Sequence, residues 1–247
     1  MEIRLDLHIH SCHSPDGNMS LSEIAGRARE RGLNGVAICD HDRTLQAAEL
    51  QTFPDVLIIP GVEVSTDCGH LLGWFVSEPI GARTLPDAVR EIHAQNGIAV
   101  LAHPFEHTTE SVRLERALPY VDGIEVWNSR AERKNRRANA MAAEFAAAHR
   151  LRGFGGSDAH TPYEIGNGVT VVQADALTPD AVRAALLSDG VRTEGQRSKA
   201  VYTAMSQYVR RRKSNARPLS YCKWALFAVK CVLQDALGAS GSRHMRS

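Results

Sequence analysis

The order of elements along the chain predicts an α/β fold, a largely parallel sheet wrapped by helices whose βα units suffice to close into a barrel. Short β-prone apolar runs alternate with amphipathic stretches of helical spacing up to about residue 190. Imidazoles and carboxylates fall at or just after the ends of those runs, positions that converge on one face of a βα barrel. The chain has 247 residues, 43% of them hydrophobic, enough for one barrel-sized domain or two smaller ones without covalent staples.

Each element has its local reason. Ile3–Ile9 alternates apolar with polar, as a strand does. Leu21–Arg31 carries apolar residues at helical spacing behind Ser20, with Glu23 completing a capping box. Gly35–Cys39, Val56–Ile59 and Leu71–Val76 are compact apolar runs, the second ended by Pro60-Gly61. Leu85–Gln95 reads as a helix stopped by Asn96-Gly97. Ile98–Ala102 and Gly123–Trp127 are strands, followed by an Ala-rich helix from about Arg130 to His149. Gly153–Gly156 and Val169–Val172 are the last strands, and Pro179–Ser188 is a helix behind Thr178.

After Gly195 the composition changes. Residues 196–247 hold 11 Lys/Arg and one acid, Asp235, so this tail is about +10 against a body of about −9, although the whole chain is +1. Two segments follow, a barrel over 1–195 and a basic helical extension over 196–247. In the extension Gln196–Val209 is moderately helical, Arg210–Arg217 is a basic connector, and Tyr221–Leu237 is a helix broken at Gly238. That helix is apolar on most sides and calls for a surface to cover it, on the barrel or on a second subunit. Ser240–Ser247 reads as disordered. Five cysteines without a C-x-x-C pair point to a reducing compartment. The N-terminal residues form no signal sequence and no run nears ~20 apolar residues, which predicts a cytoplasmic protein away from membranes.

The chemistry sits in seven short segments. His8 and His10 share one face of a strand and can chelate a metal together, with Asp6 behind them to orient a ligand. Ser14-Pro15-Asp16-Gly17 is a turn from which Asp16 reaches back, and His13 in the same loop competes for that role. Cys39-Asp40-His41-Asp42 follows a core strand, where polar groups are costly unless paired or metal-bound. Glu63 lies in an apolar run; bridging two cations would remove the penalty of burying it. His70 opens Leu71–Trp74, His103 ends a strand before Pro104, and Asp158-Ala159-His160 repeats the i, i+2 spacing. Each segment alone has an ordinary structural reading. Together they predict one hydrolytic pocket lined by His8, His10, Asp16, His41, Glu63, His70, His103, Asp158 and His160. Nitrogen and oxygen donors suit manganese, zinc or iron without choosing among them.

Asp6-Leu7-His8-Ile9-His10, Cys39-Asp40-His41-Asp42, Pro60-Gly61-Val62-Glu63, Leu101-Ala102-His103-Pro104 and Gly156-Ser157-Asp158-Ala159-His160 resemble, in order over roughly residues 1–190, the motifs of the PHP (polymerase and histidinol phosphatase) family. The resemblance implies a distorted (β/α)7 barrel that holds two or three divalent ions and cleaves phosphoesters. It also implies a division of ligands. His8, His10, Glu63 and Asp158 hold one ion; Glu63 bridges to a second completed by His70 and His103; Asp16, His41 and His160 hold a third. Gly69-His70-Leu71-Leu72-Gly73 resembles the branch that includes nucleoside 3′,5′-bisphosphate phosphatases and 5′-to-3′ exoribonucleases. Those relatives commonly carry an inserted domain after the motif holding His103, and this chain lacks it.

The expected function is hydrolysis of a phosphate ester by a metal-activated hydroxide, on a small phosphorylated metabolite or nucleotide. Asp158 and His103 are the candidates for moving a proton. No G-x-S-x-G or P-loop supplies another chemistry. Arg130 and Arg133, early in the Ala-rich helix, are the candidate phosphate contacts, and Glu125 on the preceding strand is a supporting group. Arg210-Arg211-Arg212-Lys213 beside Tyr208 and Tyr221 supports a second reading, an exonuclease trimming RNA or DNA ends, with nucleic acid as the less favoured partner. A non-catalytic binding module ranks third, since such a module loses its ligands and this chain keeps them.

Overall fold

The computed structural model describes residues 1–108 and 112–241. In chain order the elements are β1 (Glu2–Ile9), α1 (Leu21–Glu30), β2 (Gly35–Ile38), β3 (Leu57–Thr66), β4 (Gly69–Trp74), α2 (Leu85–Ala94), β5 (Ile98–Leu101), α3 (Val112–Glu115), β6 (Gly123–Asn128), α4 (Ala138–His149), β7 (Arg152–Gly156), β8 (Gly168–Gln173), α5 (Pro179–Leu186), β9 (Arg192–Gly195), α6 (Ala200–Lys213) and α7 (Pro218–Gly241). The strands form one sheet in the order β7-β6-β5-β4-β3-β2-β1-β8-β9.

The sheet curls until its far side meets its start. Gly155 N–H donates to Thr170 Oγ1 at 2.8 Å, and Thr170 Oγ1 donates to Gly155 O at 2.9 Å. Beyond β7, His10 N–H donates to Ala159 O at 2.8 Å and Ala159 N–H to His8 O at 3.2 Å. Glycine permits the closure: a Cβ on Gly156 would sit 2.5 Å from that of His8, and one on Gly168 would sit 2.0 Å from Gly156 O. The architecture is thus mixed α/β with a nearly closed, barrel-like sheet, as the alternation of elements predicts.

Strand directions are less uniform than expected. β1-β2-β3 and β5-β6-β7 are parallel ladders, but β4 is antiparallel to both neighbours, as β8 is to β1 and to β9. The tight turn between β3 and β4, with Gly69 at φ +111°, leaves no length for a crossover helix, so an antiparallel partner is the only geometry available. β3 runs unbroken through Pro60-Gly61, and Glu63 lies inside it instead of at its end. Every residue of β9 is exposed, and the strand lacks the apolar alternation by which a strand is read from sequence.

Capping explains the helix starts. Ser20 and Glu23 form the expected capping box on α1, and Thr178 Oγ1 accepts from Ala181 N–H at α5. α4 begins at Ala138, later than expected, because residues 131–133 form a 3-10 turn whose first N–H groups are taken by Asn128 Oδ1. α6 continues through the basic run to Lys213, and α7 starts at Pro218 and passes through Gly238 without a break. The segment expected to be disordered is helical up to Gly241; residues 242–247 lie outside the described residues.

The apolar core supports the site. Trp74 is buried edge-on against Phe154 at 5.0 Å, with its indole N–H donating to Leu7 O at 2.9 Å. Around it pack Leu5, Leu7, Ile59, Val100 and Val172. Each such fully buried side chain contributes roughly 1.5–3 kcal/mol. α7 lies against α6, where Trp224 Nε1 donates to Ala204 O at 2.7 Å and Asp235 caps the first N–H groups of α6. Its other side is open, with Leu219, Leu226, Val229, Leu233 and Leu237 all more than half exposed. Among the described residues no helix is long and apolar enough to cross a membrane.

Candidate metal centre

All nine residues singled out in the sequence meet at one end of the sheet. Glu63 is at their middle and is 1% exposed. Its Oε1 lies 2.8 Å from His70 Nδ1 and 3.0 Å from His103 Nε2. Its Oε2 lies 2.8 Å from His41 Nδ1, 3.4 Å from His10 Nε2 and 3.7 Å from His8 Nε2. Asp158 Oδ1 approaches His10 Nε2 at 3.3 Å, His160 Nδ1 at 3.5 Å and His8 Nε2 at 3.8 Å. Asp16 faces His160 Nε2 at 3.3 Å and His41 Nε2 at 3.7 Å. Three groups have donor atoms within coordinating reach of one another: His8, His10 and Glu63; Glu63, His70 and His103; and His10, Asp16, His41 and His160.

The donor set fits divalent cations on an independent observation. Glu63 Oε2 is buried and accepts no hydrogen bond, although three imidazole nitrogens surround it. A buried carboxylate oxygen without a donor costs several kcal/mol, about 1–3 or more, unless a cation offsets it. Six imidazoles packed ring to ring, such as His10 and His160 at 4.0 Å between centroids, also repel when protonated. A metal resolves both costs, since neutral imidazole and ionised carboxylate are the forms it binds.

The protonation pattern without metal follows the same geometry. Burial favours the neutral acid in Glu63, but the charges of His41 and His8 outweigh it and hold the carboxyl well below its usual range. Burial likewise opposes ionisation of Asp158, and His8, His10 and His160 depress it. Burial disfavours a charged His103, yet Glu63, Glu106 and Asp158 lift it to about 9; Glu63 and Asp16 lift His41 to about 11 against the same penalty. His10 moves down, through burial first and then through His160 and His41.

Surrounding groups aim the imidazoles. Glu125 Oε1 sits 3.1 Å from His8 Nδ1; a carboxylate only accepts, so Nδ1 carries the proton and Nε2 turns its lone pair to the cluster. Glu125 Oε2 accepts from His103 N–H and from Asn128 Nδ2, both at 2.9 Å. His160 donates from Nδ1 to Asp158 O at 2.9 Å, leaving Nε2 for Asp16. Asp6 accepts from the backbone of Ser157 and Gly166, and burial pushes its carboxyl up to about 6. His103 and Asp158 both have left-handed backbones, at φ +25° and +55°. Such strain in non-glycine residues persists where the surroundings hold a side chain in place.

The structure distinguishes the two loop residues left open by the sequence. Asp16 turns into the cluster, whereas His13 points to Glu49 at 3.9 Å. The cationic rim differs from expectation. Arg130 is 8% exposed and forms two bonds with Glu164, at 2.7 and 2.6 Å. Its charge is committed inside the protein, to Glu164 and, at 3.3 Å, Ser206 Oγ. Arg133 lies over the Phe227 ring at 5.9 Å. Three supporting roles were not read from the sequence. Asp40 accepts from Ser11 N–H and Oγ at 2.7 and 2.6 Å; Glu164 holds Thr161 and the backbone of His160; Lys213 reaches the first loop from α6. No motif joins these pairs, which are far apart in sequence or of ordinary composition.

Comparison with known proteins identifies the family. A PHP domain model matches residues 6–152, and a PHP-associated model matches residues 136–190. The chain is 29% identical to an uncharacterized protein of Methanocaldococcus jannaschii over 191 residues, covering 72% of this chain and 76% of that one. It is 39% identical to a 5′-3′ exoribonuclease of Haemophilus influenzae over 70 residues, only 27% of this chain and 25% of the relative. Its fold resembles that of a two-domain protein from Bacteroides vulgatus containing a predicted PHP-like metal-dependent phosphoesterase, with TM-score 0.64 and 20% identity over 84% of this chain and 70% of the other. The motifs, the clustered donors and a family model spanning more than half of the sequence agree: the chain belongs to the PHP domain family of metal-dependent phosphoesterases.

Proposed function

We propose that this protein is a phosphatase that removes phosphate from a small phosphorylated metabolite. The observation that carries the reading is Glu63, whose two buried oxygens face separate sets of imidazoles and whose Oε2 accepts no hydrogen bond. His8, His10, Glu63 and Asp158 would hold one divalent ion, Glu63, His70 and His103 a second, and Asp16, His41 and His160 a third, with His10 also near the last group. Bound ions of this kind acidify water and offset phosphate charge.

The chain's own residues supply the rest. Glu125 and Asn128 hold His8 and Asp158 in register. With His103 Nε2 and Asp158 Oδ1 turned to the cluster, His103 Nδ1, 3.5 Å from Glu106, and the second oxygen of Asp158 would be the atoms that pass a proton toward a leaving oxygen. Arg133 is a weaker candidate for phosphate than the sequence suggests, and Arg130 serves to hold Glu164.

A second reading, trimming of nucleic-acid ends, rests on the exposed cations Arg210, Arg212, Arg217, Lys223 and Lys230 of α6, α7 and the turn between them, and the local likeness to an exoribonuclease is consistent with it. The test is hydrolysis of a panel of sugar phosphates, nucleotides and short RNAs with Mn²⁺, beside elemental analysis of the purified protein. Turnover should vanish in His8→Ala/His10→Ala protein. Turnover unchanged in that variant would remove the proposal, and RNA shortening with no small ester cleaved would favour the second reading.

A further inference from the structure

Between the rim of the barrel and α6–α7 lies a cavity of 750 Å³ that the metal centre does not use. Its walls include Thr161, Tyr163, Met205, Tyr208 and Trp224, and Asn18 and Arg212 bring polar groups to it. Thr161 directly follows His160, and Asn18 comes two residues after Asp16. Adjacent Cα atoms are ~3.8 Å apart, so the cavity wall begins one residue step from His160 and two from Asp16.

We propose that this cavity receives the planar aromatic group of the phosphate ester, a nucleobase, while the phosphate occupies the metal centre. The inference rests on the phosphoesterase reading and specifies the substrate's other end. Tyr163 stacks on Tyr202 at 5.5 Å and 14° between planes, yet remains 52% exposed, and it lines the cavity. Tyr208 leans on Trp224 at 5.0 Å and is 38% exposed. Rigid aromatic faces of this kind bind flat rings with little loss of side-chain entropy. Arg212 is exposed and has no ion pair among the described residues, leaving its guanidinium free to lie on a ring or meet an anionic oxygen. Asn18, exposed at the cavity, offers the polar group that a heterocycle edge needs. The extension over residues 196–241 thereby builds the specificity pocket that the barrel alone lacks.

Two measurements decide this. Adenosine, which carries no phosphate, should quench the fluorescence of Trp224 saturably in wild-type protein and much less in Tyr163→Ala. With metal-loaded enzyme, Tyr163→Ala and Arg212→Ala should raise KM for a 5′-mononucleotide on the order of 10- to 100-fold, leaving kcat and the hydrolysis of glycerol phosphate unchanged. Both side chains are exposed, and a thermal melt checks that the variants fold. Including a 5′-phosphorylated tetranucleotide tells whether the base belongs to a free nucleotide or to a strand end, since only the occupant of choice shows the full KM effect. Absence of quenching, or equal losses on glycerol phosphate, would overturn the inference. Quenching without hydrolysis of any ester would instead leave the pocket standing and remove the phosphatase reading.

Discussion

Replacing Lys213 with methionine should loosen one part of the metal centre from a distance. The Lys213 ammonium lies 2.6, 2.7 and 2.6 Å from the carbonyl oxygens of Cys12, Ser14 and Gly17, so all three of its donors are used. The loop it clamps carries Asp16, and Ser14 Oγ lies 3.1 Å from Asp16 Oδ1 and 3.3 Å from His10 Nδ1. A hydrogen bond to a charged group contributes about 1.5–3 kcal/mol when buried, but this lysine is exposed and water replaces part of each bond, so the three together amount to about 2 kcal/mol. Methionine keeps the stem and removes the donors. If that ordering energy is lost from the site containing Asp16, its affinity falls by about 30-fold. Calorimetric titration of metal-free protein with Mn²⁺ should show one binding step weakened to this extent and the Glu63–His103 step unchanged, with partial recovery in Lys213→Arg. A lower melting temperature with every binding step intact would show a purely structural clamp and refute the reasoning.

Three further outcomes follow from the same geometry. Glu125→Gln still accepts from His103 N–H but no longer neutralises His8, and should weaken metal binding by about 10–100-fold, read by competition with a chromogenic chelator. Metal uptake should release protons, because His41 and His103 stay charged without metal up to about 11 and 9; affinity measured between pH 6 and 9 should rise with pH, and a flat profile would contradict this assignment. Asp6 is raised from 3.8 to about 6, so its neutral form stabilises the metal-free fold by about 3 kcal/mol below pH 3.8, a contribution lost as pH rises through 6. The melting temperature of metal-free Asp6→Asn protein should therefore show a shallower fall across that window than wild type.

Legibility in the sequence varied from residue to residue. His8 and His10 on β1, and Asp158 and His160 after β7, were readable because a two-residue spacing at the end of an apolar run aims both side chains at one place. Ser20 and Glu23 announced α1 because a cap is a local interaction. Antiparallel β4 was not readable as such, since direction depends on which neighbour completes the ladder. Arg130 looked like a phosphate contact because sequence shows a charge but not the buried Glu164 that takes it, 34 residues away. The continuation of α6 through four cations to Lys213 was hidden because like charges argue against a helix until a partner absorbs them, as the loop carbonyls do for Lys213.

The sequence by itself determined the donor types, their order and their placement at apolar boundaries, because hydrophobic periodicity and ligand chemistry are properties of short segments. Tertiary structure alone decided that Glu63 lies at the middle of the cluster, that Asp16 and not His13 enters it, and that the basic extension reaches over to hold the first loop. Those relations depend on sheet closure, which brings Glu125 to His8 and Ser157 to Asp6 across more than a hundred residues, and no local pattern encodes such a distance.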